Sequence, residues 1–316
     1  MRILRAEAWI ARMKRAMTDK GVVLTIAALL AAPVFAAEEQ LADPAADLSV
    51  AKPAYAKDAG PVVLIDEAHH NYHTIDGRFK PFADLLRNDG FKLQGSQAPF
   101  TPAVLARAKV LVVSNALNQV NVDHWLLPTP SAFTDAEVAA VKAWVEQGGS
   151  LLLIADHMPF AGAAQPLAKA FGFDFSNGFA FRMPGPRAGD PFTRADNTLR
   201  DDVLTKDLTR IITFTGSAFT APPGAKPLLV FPQGYAVLLP KEAWTFSPAT
   251  PQEDAAGKLQ GAVMAVGKGR LAVFGEGGMF TAQDSNGQKF GFNAPDAPEN
   301  KQFVLNVARW LGGAIK

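Results

Sequence analysis

Three short apolar runs constrain the fold of this chain more than any other feature of its sequence. They are VVLID at 62–66, KVLVV at 109–113 and LLLIA at 151–155. None alternates apolar and polar residues as a strand with one face in water does, so each is predicted to be covered on both faces. The sequence therefore predicts an α/β fold in which these runs are neighbouring central strands of a mostly parallel sheet.

Helical patterns follow these strands. They lie at 78–91, 133–149, 159–173 and 299–313. The clearest is the second, because Thr134 and Glu137 form a capping box and Gly148 stands where a helix ends. Between about 172 and 257 the pattern loosens into short segments rich in Pro, Gly and Phe, which predicts an irregular insertion. A Gly-Lys-Gly sequence at 267–269 predicts a hairpin turn.

The N-terminal segment has the order of a secretory signal peptide. A basic leader precedes the uncharged run 21–35, and Val34 and Ala36 stand at the −3 and −1 positions of a cut before Ala37. Residues 1–36 are therefore predicted to be a signal peptide and the protein to be periplasmic or secreted. The alternative is an uncleaved anchor, since a spanning helix needs at least about 17 apolar residues. The translation start is Met1, Met13 or Met17.

The remainder divides into two predicted parts. Residues 37–60 are rich in Ala, Asp, Lys and Pro and show no period, so they are predicted to be a flexible linker. Residues 61–316 are predicted to be a single domain. No membrane contact is expected after cleavage.

Charge and cysteine content exclude several classes of function. The chain has 31 Lys and Arg against 30 Asp and Glu, and without residues 1–36, which hold six basic and two acidic residues, its net charge is −3. A nucleic-acid-binding surface needs clustered positive charge, and none is seen. With 0 cysteines there is no disulfide framework, thiolate metal site or cysteine nucleophile. The sequence does not identify protein partners.

Polar side chains follow each predicted strand at its carboxyl end. In open α/β sheets, ligands bind outside these ends, at the point where the strand order reverses. A site for a small polar ligand is therefore predicted there. The candidate catalytic residues are Asp66, Glu67, His69, Asp156, His157 and Glu276. The candidate ligand-binding residues are His70, Asn71, His73, Ser114, Asn115, Gly277 and Gly278.

Each candidate also has a structural alternative. His69 and His73 would share one face of a helix, as in metal-binding pairs, but Asp76 and Gly77 favour a loop. A divalent metal is compatible with the cluster, and nothing in the sequence requires one or identifies another cofactor. Asp66 and His69 could equally satisfy backbone groups at a tight turn.

The other two carboxylates have alternatives as well. Asp156 could cap the helix that follows it. The two glycines after Glu276 are expected to leave backbone amides open to a ligand. If the candidates form one site, then His69, Asn115, Asp156 and Glu276 should converge on it, with Asp66 and Asn115 facing each other across the reversal.

Several stretches resemble a family of uncharacterised exported bacterial proteins with a class I glutamine-amidotransferase-like domain, similar to trehalose-utilisation-type proteins. They are VLIDEAHHNYHTIDGRFKPFADLLRNDGF, LLLIADHMPFAGAA, TFTGSAF, FGEGGMF and NKQFVLNVARWLGG. The resemblance implies a flavodoxin-like three-layer sandwich. True amidotransferases carry a nucleophilic cysteine, which this chain lacks, so amidotransferase chemistry by the usual route is excluded.

Two kinds of function remain open from the sequence. In one, the cluster of His, Asp and Glu side chains hydrolyses a small polar compound such as a carbohydrate, with a histidine as general base. In the other, the same cluster holds a ligand or partner without catalysis, as a binding or scaffold module of the cell envelope. The sequence alone does not decide whether the protein is an enzyme.

Overall fold

The computed structural model describes residues 40–185 and 189–316. The predicted signal peptide therefore lies outside the described residues. Within these ranges, no helix is long and apolar enough to cross a membrane.

The described chain forms seventeen strands and five α-helices. The strands are β1 Leu41–Ala42, β2 Val62–Asp66, β3 Lys92–Ser96, β4 Val110–Ser114, β5 Ser150–Ile154, β6 Asp174–Ser176, β7 Phe179–Arg182, β8 Asp190–Thr193, β9 Arg210–Thr213, β10 Ala218–Thr220, β11 Lys226–Val230, β12 Tyr235–Leu238, β13 Gln252–Asp254, β14 Leu259–Val266, β15 Gly269–Phe274, β16 Ala282–Ser285 and β17 Gln288–Gly291. The helices are α1 Lys80–Asn88, α2 Pro102–Leu105, α3 Asp135–Glu146, α4 Phe160–Lys169 and α5 Asn300–Gly312.

One large sheet organises the molecule. Its order is β3-β2-β4-β5-β15-β14-β10-β6, and β11 also pairs with β14. The five strands from β3 to β15 are parallel. In chain order they run 2-1-3-4-5, which is the flavodoxin-like arrangement, and the order reverses between β2 and β4. The three apolar runs are therefore buried neighbours, as the sequence predicts.

Helices cover both faces of this sheet and complete three layers. One core contains Phe82 of α1 and Phe303 of α5, and the other contains Val141 of α3 and Leu167 of α4. Along β2, Val63 and Ile65 enter the first core while Leu64 enters the second. Full burial of one such side chain contributes about 1.5–3 kcal/mol, so a strand that is apolar on both faces stabilises both layers.

The helix and hairpin signals are also confirmed. Thr134 caps α3 through the reciprocal capping box with Glu137. Strands β14 and β15 are joined at Gly267 and Lys268, where Gly267 has a φ of 56°. A Cβ at this glycine would lie 2.5 Å from the carbonyl oxygen of Glu146, so both the left-handed conformation and the close approach require glycine.

The region between 172 and 257 is more integrated than an irregular insertion. Strands β6, β10 and β11 extend the large sheet, while β7 joins β12 and β13, and β8 pairs with β9. Its aromatic side chains are largely buried, including Phe173, Phe179 and Phe219. Short strands separated by Pro and Gly concealed this order from pattern reading.

Residues 40–60 correct the expectation of a flexible linker. Strand β1 pairs with β16, and the Tyr55 hydroxyl donates to the Gly312 carbonyl at 3.1 Å. The Ala54 amide donates to Asp89 Oδ1 at 2.8 Å. These partners lie up to about 250 residues away, so local composition could not reveal that the segment is held against the domain.

Candidate functional site

The loop after β2 fills the crevice where the strand order reverses. Asn71 spans it, because its Nδ2 donates to Asp66 Oδ2 at 2.9 Å and to the Ser114 carbonyl at 3.3 Å. The backbone joins in, since the Tyr72 amide donates to the Asn115 carbonyl at 3.0 Å. The predicted position at the reversal is thus confirmed, but the protein's own loop occupies the space between β2 and β4.

His69 is held between two carboxylates. Its Nδ1 lies 2.9 Å from both oxygens of Asp66, and its Nε2 lies 2.9 Å from Glu137 Oε1. An ionised carboxylate only accepts hydrogen bonds, so both ring nitrogens carry a proton and the ring is an imidazolium. Burial opposes this charge, but Asp66 and Glu137 outweigh it and raise the pKa of His69.

Glu137 serves the helix and the histidine together. Its Oε2 accepts hydrogen bonds from the Thr134 amide and hydroxyl, and its Oε1 also accepts from the Phe100 amide. Burial acts against ionisation, but these bonds and the one from His69 lower the pKa of Glu137 to about 2. Since both nitrogens of His69 are engaged and its ring packs on Phe100 and Phe133, His69 fixes the loop in place.

Asn115, Asp156 and the Glu276 segment meet beside this loop. Asn115 Oδ1 accepts from the Asp156 amide at 3.0 Å, and Asp156 Oδ2 accepts from the Gly277 amide at 3.0 Å. These three strand ends converge as predicted. His69 does not join them, because its ring turns towards α3.

The two carboxylates of this group bind backbone amides. Asp156 Oδ1 accepts from the His157 amide at 2.7 Å, so Asp156 does not cap α4, which begins at Phe160. Glu276 accepts from the amides of Gly278 and Met279 at 2.6 and 2.8 Å. The expectation that the amides of Gly277 and Gly278 are open to a ligand is therefore wrong.

Electrostatics separates these two carboxylates. Burial, reinforced by the negative charge of Asp156, raises the pKa of Glu276 well above its usual range. A pair whose pKa values are driven apart is a pattern seen at acid–base sites. Here, however, every oxygen of the pair already accepts a backbone hydrogen bond.

His73 is buried on the opposite side of the loop from His69. Its Nδ1 lies 2.8 Å from Ser114 Oγ, and its ring stacks on Phe79 with centroids 4.6 Å apart. Burial and the nearby charge of Arg78 lower its pKa to about 3, so the ring is neutral at physiological pH. A Cβ at position 277 would lie 2.7 Å from His73 Cε1, which explains the glycine there.

His157 lies among aromatic rings. It stacks on Phe179 with centroids 4.4 Å apart and meets Trp244 edge-on at 4.9 Å. Trp125 lies 5.8 Å from His157 and 5.6 Å from Tyr72. We call Tyr72, Trp125, His157, Phe179 and Trp244 the aromatic patch. Trp244 is 40% exposed, and Tyr72 and Trp125 are partly exposed.

Two clipped loops carry the tryptophans of this patch. The Ala243 amide donates to the Trp125 carbonyl at 2.8 Å, which ties one loop to the other. Asn121 is buried beneath the first loop, and its Nδ2 donates to the carbonyls of His124, Leu126 and Pro128 at 3.1, 2.9 and 3.2 Å. The patch therefore stands on an ordered support.

Backbone strain marks the same neighbourhood. His70, Asn115 and Trp244 have positive φ angles of 47°, 50° and 63°. Asparagine and histidine tolerate this region, whereas a bulky tryptophan there is a true outlier. Such conformations concentrate at functional sites, where the surrounding structure maintains them.

The remaining candidates lie at the margin. Glu67 Oε1 accepts from the Ile75 amide at 2.7 Å and so closes its own loop, while the side chain of His70 is exposed. Among the described residues, no three or more His, Asp and Glu side chains are placed to hold a metal ion.

Two surface clefts lie away from the strand ends. One, of about 330 Å³, includes Asp174, Glu253 and Lys258, and another, of about 580 Å³, includes Arg200 and Lys226. Neither contains a predicted site residue. We place the candidate site at the strand ends because the strained backbone and the unusual histidine environments occur there.

Sequence reasoning missed the aromatic part of the site. Tyr72, Trp125 and Trp244 were not predicted, since they come from segments far apart in the chain. A usable signal was the long connection at 118–133, because loops of that length are often functional.

Comparison with known proteins identifies the fold and no family. No protein-family model matches the sequence, and no curated protein matches it. The solved structure of the mmIFT52 N-terminal domain is 16% identical, covers 79% of this chain and 97% of its own, and superposes with a TM-score of 0.58. This similarity extends to the fold alone.

Other solved structures are more distant. A ThuA-like protein from Bacteroides uniformis is 15% identical, with 83% of this chain and 93% of that chain covered and a TM-score of 0.44. A GMP synthase protein from Thermoplasma acidophilum is 10% identical, with coverages of 81% and 94% and a TM-score of 0.43.

Proposed function

We propose that this protein is a binding domain for a small polar ligand that also presents an apolar face, and that carbohydrate is the class it fits best. The observation that carries the proposal is the aromatic patch, in which partly exposed rings surround a buried histidine at the carboxyl end of a central strand. Ligands of α/β sheets bind at such strand ends.

The chemistry of the patch suits a sugar. Aromatic faces exclude water from the C–H face of a pyranose ring, and a few polar atoms then fix its orientation. Arg78 lies over the Tyr72 ring at 4.0 Å and so covers one of its faces. The partly exposed indoles of Trp125 and Trp244 supply the remaining aromatic surface.

Binding is favoured over hydrolysis by the state of the carboxylates. A general acid or base needs an oxygen directed at the substrate. The oxygens of Asp156 and Glu276 are instead taken by backbone amides, and those of Asp66 and Glu137 hold His69. The raised pKa of Glu276 is the one feature that favours the hydrolytic alternative.

The proposal includes export. The basic leader, the apolar run and the small residues before Ala37 support a mature protein that begins near Ala37 and acts in the periplasm or outside the cell. Mass spectrometry of the exported protein tests this point, and an intact N-terminus would favour an anchored form.

The test is a panel of soluble mono- and oligosaccharides, followed by calorimetry and by release of reducing ends. We expect saturable binding that Trp125→Ala weakens at least about tenfold, because loss of a buried aromatic contact costs over 1 kcal/mol. Trp144→Ala is the matched control, since that tryptophan is also partly exposed but lies on α3. Binding unaffected by Trp125→Ala, or no binding at all, would contradict the proposal, and saccharide cleavage would favour the hydrolase.

A further inference from the structure

The tautomer of His157 follows from its partner. Its Nδ1 lies 2.7 Å from the Met158 carbonyl oxygen. A carbonyl can only accept a hydrogen bond, so Nδ1 must carry the proton and donate it. His73 differs, because a serine hydroxyl can either donate or accept and therefore leaves its tautomer open.

The second nitrogen of His157 is an unused lone pair. The ring is 8% exposed and packed on apolar faces, and burial lowers its pKa despite the nearby charge of Asp156, so the ring is neutral at physiological pH. A neutral imidazole protonated on Nδ1 has a hydrogen-bond acceptor at Nε2. No hydrogen bond to Nε2 is made within residues 40–185 and 189–316, and Nε2 is not among their fully enclosed polar atoms.

We propose that His157 Nε2 accepts a hydrogen bond from a hydroxyl group of the ligand and thereby selects ligands that donate at that point. This inference rests on the proposed binding function and deepens it. The rings around His157 supply apolar contact without directional preference, whereas a single acceptor fixed by its tautomer does discriminate.

The selection works by exclusion of mismatched groups. A ketone, ether or carboxylate oxygen placed against Nε2 sets two acceptors against each other, and neither can supply a proton. A site that leaves a buried polar atom without its partner loses about tenfold or more in affinity. Alcohols should therefore bind, and ketones of the same shape should not.

The first measurement reads the tautomer in the ligand-free protein. Two-bond proton–nitrogen correlation spectra distinguish a ring protonated on Nδ1 from one protonated on Nε2, and His157→Phe identifies the signals of His157. We expect Nδ1 protonated and Nε2 bare at neutral pH. A proton on Nε2 would overturn the inference whatever the ligand is.

The second measurement uses cyclohexanol and cyclohexanone as probes of matched shape. We expect cyclohexanol to shift the Nε2 signal of His157 and the indole signals of Trp125 and Trp244, with a dissociation constant at least about tenfold lower than that of cyclohexanone. In His157→Phe, which keeps an aromatic ring, the difference should disappear. Equal binding of the two probes to the native protein, or no response of Nε2 to the alcohol, would overturn the inference.

The proposed function fails separately. If the tautomer and alcohol preference are found but no saccharide binds, the carbohydrate class is wrong and the selection of hydroxyl donors stands. If saccharides bind and the alcohol preference is missing, the binding function stands and the role of His157 does not.

Discussion

His69 and His157 are buried to nearly the same extent, yet the protein uses them in opposite ways. Their exposed fractions are 7% and 8%. His69 lies between two carboxylates that require a proton on each nitrogen, and His157 lies among rings with a single carbonyl partner. The difference shows that burial does not decide what a histidine does. The hydrogen-bonding capacity of its partners decides it.

The two environments also divide the structural work. The pair Asp66 and Glu137 connects β2, the following loop and α3 through His69, and so fixes the loop that carries Tyr72 and His73. The His157 environment contains no second ion of that kind in direct contact. It leaves one nitrogen available to a ligand.

The largest expected effect is the loss of His69. His69→Phe fits between Phe100 and Phe133 but leaves two carboxylates buried without their cation, which costs about 3–5 kcal/mol of unfolding free energy. His157→Phe keeps the stacking and loses one neutral hydrogen bond, worth about 0.5–1.5 kcal/mol.

Urea unfolding measures this contrast directly. His70→Asn is the control, because the side chain is exposed and asparagine tolerates its positive φ, and it should change stability by less than about 0.5 kcal/mol. Equal destabilisation by His69→Phe and His157→Phe would contradict the ion cluster.

A smaller effect is expected at the glycine beside His73. Gly277→Ala places a methyl group 2.7 Å from His73 Cε1 and 3.3 Å from Asn115 Nδ2. Overpacking of this kind costs about 1–3 kcal/mol. Thermal unfolding should show the loss, and Gly185→Ala, where a Cβ meets nothing within 4 Å, is the control. A stable Gly277→Ala variant would mean that the strand ends are loosely packed.

The two histidines should affect stability in opposite directions as pH changes. The pKa of His69 is raised in the folded state, so its contribution is complete below about 6.5, the pKa of an unfolded histidine, and is lost as pH rises through the folded pKa. The pKa of His157 is lowered, so the unfolded chain binds a proton that the folded chain rejects, and stability is lost as pH falls below about 6.5.

Each unit of difference in pKa is worth about 1.4 kcal/mol. Unfolding free energies between pH 5 and pH 9 should therefore change slope differently in the two variants. His69→Phe should remove an alkaline loss, and His157→Phe should reduce an acid loss. The same change in both variants would show that the two rings titrate alike.

The smallest effect concerns the support of Glu137. Thr134→Ala removes the hydroxyl that bonds Glu137 Oε2 and caps α3, at a cost of about 1 kcal/mol. Thr134→Ser should restore most of it. Calorimetric melting of both variants tests this, and an unchanged Thr134→Ala variant would remove the capping box from the account.

Sequence patterns predicted the sheet because strand burial is written in local composition. The apolar runs at β2, β4 and β5 and the capping box of α3 depend on neighbours in the chain, and they were found. The partners of single side chains were not found, since Glu137 is 68 residues from His69. The glycines after Glu276 misled for the same reason, because Asp156, 121 residues away, takes the Gly277 amide.

The most direct test of the account is a pH titration of the histidine side chains by proton–nitrogen correlation spectroscopy. Signals are assigned with His69→Phe and His157→Phe. At pH 7 we expect His69 to show protons on both ring nitrogens and His157 to show one, on Nδ1. A neutral His69, or a His157 that is doubly protonated or protonated on Nε2, would contradict the assignment of one histidine to structure and the other to a ligand.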